Sequence, residues 1–85
     1  MPRLSFFYGI AIYLYYEDHS PPHIHARYGE ARASITFEGT LMAGALPARA
    51  MSMVVSWIAE HREELSEDWD RARAQLPLLP IAPLP

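Results

Sequence analysis

Three histidines, His19, His23 and His25, fall within seven positions, and Asp18 stands directly before them. Imidazole is the side chain that changes charge near neutral pH, and it is the commonest metal ligand. Residues two apart on a β-strand point to one face, with Cα atoms roughly 6.5–7 Å apart. On an extended segment His23 and His25 therefore stand side by side. Together with His19, Asp18 or Glu17 they can complete a set of three or four nitrogen and oxygen ligands. Such a set suits a divalent transition metal, zinc first, and also iron, nickel or manganese. The same pair beside Arg27 and Tyr15 holds the parts of an acid–base site for cutting a phosphodiester. One imidazole takes a proton, the other gives one, and the guanidinium stabilises the charged phosphorus centre. Tyr13 and Tyr15 offer rings on which bases can stack. The plainer alternative is a row of polar residues on a solvated strand face.

His61 is separate from this group. It recurs with Trp57 and Leu65 at helical spacing, where a histidine most often bonds locally, and Glu64 lies one turn away. If its helix covers the polar sheet face, it becomes a third imidazole for the metal set.

The elements that must hold these residues can be read from pattern. Arg3–Phe7 is a short strand candidate, with Tyr8-Gly9 as its turn. The run from Ile10 to Tyr16 is dense in β-branched and aromatic residues and predicts a strand. Pro21 and Pro22 keep the approach to His23 extended. His23–Tyr28 and Ala31–Phe37 follow as strands around Gly29-Glu30, and Glu38-Gly39-Thr40 turns the chain into a short segment at 41–44. Connections this short imply antiparallel neighbours. Alternation puts Ile12, Leu14, Ile24, Ala26, Ala33, Ile35 and Phe37 on a core face. His23, His25, Arg27, Arg32 and Ser34 fall on the other, which should be accessible if helices cover only one side. Pro47 marks a helix start. The apolar positions Ala50, Val54, Trp57, Ile58 and Leu65 continue at helical spacing, and a bend is expected near 64–66, where Ser66 resembles a new cap.

The expected fold is α+β: a small antiparallel sheet of three to four strands, then one long or two short C-terminal helices packing on one face. Residues 1–75 form the single domain. Pro77, Pro80, Pro83 and Pro85 exclude regular structure from 76–85, read as a flexible C-terminal tail.

Composition narrows the functions. The chain has 85 residues and 51% apolar content, enough for one thin core. It contains no cysteine, which excludes disulfides, thiolate zinc sites and a cysteine nucleophile and fits a cytoplasmic setting. All seven basic residues are arginine and the formal charge is −3, so broad attraction to phosphate backbones is absent. RNA held locally by the first half is a better expectation than DNA. The apolar run from Leu4 to Tyr16 falls short of the ~20 residues that span a bilayer, and core strands are expected there rather than a targeting or membrane segment.

The stretch from Tyr16 to Glu30, containing Asp18-His19-Ser20-Pro21-Pro22-His23-Ile24-His25 and then Tyr28-Gly29, resembles the signature of a small prokaryotic family catalogued as domain of unknown function 4160. Gly44-Ala45-Leu46-Pro47 with Arg49, and Trp57, His61, Arg62, Glu64, Leu65 and Trp69 at their spacing, are similar to its second half. The resemblance covers about residues 3–75. It implies a role beside a cognate small protein, as in toxin–antitoxin-like or regulatory pairs, and gives weight to Asp18, His19, His23, His25, Gly44, Pro47, Trp57, His61 and Trp69. Three functions follow as expectations: one member of such a pair with a histidine-rich working surface, a zinc- or nickel-binding module without turnover, or a protein-interaction or dimerisation domain. An enzyme version would be a metal- or histidine-dependent ribonuclease-like hydrolase.

Overall fold

Two-residue turns dictate most of the sheet. In the computed structural model, which describes residues 2–85, β1 (Arg3–Phe7) and β2 (Ile10–Tyr13) are joined by Tyr8-Gly9, both at positive φ, as a tight hairpin turn requires. β3 (His23–Tyr28) and β4 (Ala31–Thr36) are joined by Gly29-Glu30, and β5 (Leu41–Ala45) follows. The order is β1-β2-β3-β4-β5, every pair antiparallel. The sheet has five strands where three to four were expected. The difference lies at the edges: Arg3–Phe7 pairs with β2, with a register shift between Arg3 and Ser5, and the 41–45 segment is a true strand.

β5 joins β4 through a bulge. Ser34 faces Ala43 while Ile35 faces Leu41, so Met42 is the extra residue. Gly44 then passes so close to β4 that a Cβ would stand 2.1 Å from the Arg32 carbonyl oxygen. Its φ of +77° suits glycine as well.

The helices are α1 (Ala48–Glu60) and α2 (Arg62–Arg73), two pieces as the composite pattern allows. The break is at His61, not near Ser66. The His61 amide still bonds the Trp57 and Ile58 carbonyls, but its φ of −122° takes it out of the helical region. No helix among the described residues is long and apolar enough to cross a membrane.

Both helices cover the predicted apolar face. Ile12, Leu14, Ile24, Ala26, Ala33, Ile35 and Phe37 are buried with Val54, Trp57, Ile58, Leu65 and Trp69. Each of the larger side chains, Leu, Ile, Val or Phe, contributes about 1.5–3 kcal/mol when removed from water. Trp69 is buried against Phe37, with ring centroids 6.0 Å apart.

Residues 76–85, expected to be a flexible tail, lie here against the domain. The Ile81 amide donates to the Leu4 carbonyl on the outer edge of β1 at 2.9 Å, and the Ile81 side chain is buried. The Trp57 indole N–H donates to the Ala82 carbonyl at 2.8 Å. Asp68 is buried and accepts the Leu79 amide and the Arg71 guanidinium, both at 2.9 Å. The segment is irregular, as its prolines require, and it buries Ile81 while Leu76 and Leu79 stay exposed.

Candidate functional site

β2 ends at Tyr13, three residues earlier than the apolar run suggests, and the chain leaves the sheet from Leu14 to Pro22. This departure creates the site. If β2 continued to Tyr16, the Tyr15 backbone would pair with His23 and cover the strand's end. Instead the loop returns over β3 and lays the Asp18 carboxylate on two imidazoles. The same departure lets the Tyr15 ring stack on His25, with centroids 4.2 Å apart.

Asp18 Oδ2 lies 2.6 Å from His25 Nε2 and 3.0 Å from His23 Nε2. The two imidazole centroids are 4.9 Å apart, so the pair projects together as the alternation predicts. Each ring is also held from behind. His23 Nδ1 donates to the Pro21 carbonyl at 2.6 Å, and His25 Nδ1 lies 3.2 Å from the Ser34 hydroxyl. One ligand atom from each of Asp18, His23 and His25 falls within 4.8 Å of the others.

The two histidines are not equivalent. His23 was expected in an accessible row, but it is 2% exposed, walled by Trp69 at 5.8 Å and by His19 at 5.9 Å between ring centroids. It sits at the first position of β3, where the loop and α2 both wrap the sheet end. The His25 side chain is 24% exposed and remains reachable from the open face.

The Asp18 carboxyl responds to this setting. Burial pushes it up. The hydrogen bond from His25, the charges of His23 and His25 and the His19 amide outweigh that and hold it below its ordinary value of 3.8.

The other candidates fall at varying distances from this cluster. His19 points outward, 84% exposed, with Nδ1 3.6 Å from Asp18 Oδ1, and it contributes no atom to the three-residue group. His61 stands at the α1–α2 break, where Nδ1 meets Glu64 Oε1 at 2.6 Å and the ring lies 5.4 Å from Trp57. The helices cover the opposite sheet face, so His61 does not approach the cluster. Arg27 follows His25 on the same face, and with Tyr13 and Tyr15 it lines a shallow groove.

Sequence reasoning missed Ser34 and the Pro21 carbonyl as partners of the histidines, and it gave weight to Trp69 through the family resemblance without placing it beside His23. Ser34 was recoverable: a two-residue turn at Gly29-Glu30 forces His25 opposite Ser34 in the hairpin register. The other two depend on how the loop and α2 close over the sheet end, which no local pattern records.

Fold and cluster together define a small α+β domain whose antiparallel sheet carries two histidines, with an aspartate laid on them by the loop between β2 and β3. The sequence model described as Domain of unknown function (DUF4160) matches residues 9–70, and the chain belongs to that family. No curated protein and no solved structure matches it.

Proposed function

We propose that the domain binds a divalent transition metal, zinc or nickel, through His23 Nε2, His25 Nε2 and Asp18 Oδ2, and that this centre is its working site. One observation carries the reading. A carbonyl oxygen can only accept, so the Pro21 contact fixes a proton on His23 Nδ1. With no second proton on the ring, the lone pair of Nε2 is directed at a carboxylate oxygen 3.0 Å away. Two acceptors at that distance need a proton or a cation between them. In His25 the Ser34 hydroxyl can accept from Nδ1 in the same way, which would free Nε2 for an ion. Oxygen partners on the far nitrogens are the arrangement that orients ligating imidazoles.

Tetrahedral bonds of about 2.05 Å separate ligand atoms by roughly 3.3 Å, so the carboxylate would move back from both imidazoles, and the ligand atoms, which lie within 4.8 Å of one another, would settle around the ion. Three protein ligands leave a further position open, the pattern of a reactive rather than a purely structural centre.

The test is metal analysis and calorimetric titration on protein prepared without a histidine tag. One equivalent of zinc or nickel should bind, and it should be released in acid as the imidazoles take up protons. Absence of stoichiometric uptake would leave a second proton on His23 as the resolution and end the metal reading.

A second reading, one member of a toxin–antitoxin-like or regulatory pair or a homo-oligomer, is supported by β5. All five of its residues are exposed and it is an edge of the sheet, the kind of surface to which another chain adds a strand. Growth inhibition on expression, abolished by His25→Ala in a folded protein, would favour the enzymatic form of that pairing. Light scattering showing a monomer for both the native chain and Met42→Lys would remove the homo-oligomer.

A further inference from the structure

Arg27 on β3 and Arg32 on β4 are direct cross-strand partners on the open sheet face. Like charges directly opposite each other weaken a hairpin, and here nothing neutralises them. Among the described residues no carboxylate lies within 4 Å of either guanidinium; the ion-paired arginines are Arg62 and Arg71. The register shows what surrounds the pair. One row across the sheet reads Tyr13, His25, Ser34, Ala43, and the next reads Ala11, Arg27, Arg32, Ala45. The alanines and Gly44 leave space between the larger side chains. The result is a groove of about 260 Å³ whose polar lining is Tyr13, Tyr15, His25, Arg27, Arg32 and Ser34. That is just below the usual range of roughly 300–1,000 Å³ for ligand pockets, so it suits one compact group.

We infer that this groove is a phosphate subsite of the cation centre, with Arg27 and Arg32 gripping the phosphate of a small phosphoester from two sides. The inference rests on the cation reading above for the pole that the phosphate faces. Guanidinium forks match phosphate oxygens in pairs. A carboxylate has only two oxygens and satisfies one fork. Two forks beside a cation call for a group with at least three, and phosphate has them. His25 and Arg27 are neighbours on one strand face, about 7 Å apart at Cα, so a phosphate held by Arg27 and Arg32 lies in the groove that His25 also lines. The chain's formal charge of −3 and lack of lysine favour a discrete phosphate over a long polyanion.

The experiment follows arginine Nε–H signals of the full chain, washed free of metal, as inorganic phosphate and then adenosine monophosphate are added. Zinc affinity is measured separately by calorimetry. Arg27 and Arg32 should shift together and saturably while Arg62 and Arg71 stay fixed. Additional shifts of Tyr13 or Tyr15 with the nucleotide alone would identify a nucleotide rather than free phosphate as the ligand. Arg32→Thr should weaken phosphate binding at least tenfold, leave zinc affinity within twofold, and raise the melting temperature by removing the opposed charge. Shifts that are absent, or equal at all arginines, overturn the inference while stoichiometric zinc keeps the cation reading. Saturable phosphate binding without any zinc binding would instead sink the cation reading, and with it the claim that the groove serves a metal.

Discussion

Replacing Asp18 by asparagine separates what the carboxylate does for the fold from what it does for a cation. The side chain keeps its shape and an acceptor oxygen but loses its charge. In the metal-free protein it gives up charge-assisted bonds at 2.6 Å and 3.0 Å to two imidazoles. Hydrogen bonds to charged groups contribute about 1.5–3 kcal/mol. The retained oxygen and the wet rim of the site pull the cost down to about 1–2 kcal/mol. For a domain of this size that is a fall in Tm of roughly 5–15 °C. Zinc at one hundred times its Kd stabilises the native chain by about 2.7 kcal/mol, or roughly 10–20 °C. If the substitution weakens zinc a hundredfold, the same zinc concentration stabilises the variant by only about 0.4 kcal/mol, or roughly 2–3 °C. Thermal melts by circular dichroism, with and without zinc after chelator treatment, measure both quantities. A native protein that does not respond to zinc would refute the reasoning, and so would a variant that responds equally.

Because the Asp18 carboxyl is held below 3.8 when folded, its contribution is complete above that value and is lost as pH falls through the lower one. The stability gap between native and Asp18→Asn should therefore persist from about pH 6 to about pH 4 and close only in stronger acid, as urea titrations across pH can show. Gly44→Ala forces a Cβ to 2.1 Å from the Arg32 carbonyl oxygen at a φ of +77° and should cost roughly 2–4 kcal/mol in urea unfolding; an unchanged midpoint would refute the close approach of β5. Trp57→Phe removes the bond to the Ala82 carbonyl and should cost about 1–2 kcal/mol, with faster limited proteolysis within 76–85. His61→Ala removes the local contact with Glu64 and the packing of its ring on Trp57 but no atom of the cluster, so zinc stabilisation should be unchanged and the stability loss about 1–2 kcal/mol.

Much of the sheet was legible because its turns are chemically explicit. Tyr8-Gly9 and Gly29-Glu30 set the registers of two hairpins, and period-two alternation then assigned Ile24, Ala26, Ala33 and Ile35 to the buried face. The apolar run through Tyr16 misled on the end of β2, since hydrophobicity does not separate a strand residue from a loop residue packed on the core: Leu14 is fully buried but lies outside the strand. Helix spacing gave the stripe Ala50, Val54, Trp57 and Ile58 but not the break, because His61 sits at an apolar-stripe position and continues the pattern while its backbone leaves it. The strand segment at 41–45 was hidden by its composition. Its residues are exposed, small or flexible, and only the approach to β4 makes it regular. At the site, the two histidines of β3 were legible from spacing alone. Choosing Asp18 over Glu17 and His19 as their companion was not, since it depends on the path of a nine-residue loop.

The burial difference between the two histidines bears on how any chemistry there must be arranged. His23 is enclosed, with one nitrogen fixed by Pro21 and the other on Asp18, so it has no free atom for a partner. Its available role is to hold an ion or a proton against Asp18. His25 shares the same carboxylate oxygen but keeps a quarter of its side chain in solvent, with Tyr15 stacked on one side and the arginine groove beyond it. A ligand can therefore arrive only from the His25 side. This one-sided access makes the cluster asymmetric in its tolerance to change. Substitutions at His23 should act first on folding, since they open a cavity beside Trp69. Those at His25 should act first on binding. A function that required two equally exposed imidazoles, passing a proton across a substrate held between them, does not fit this geometry; one that works outward from an anchored centre does.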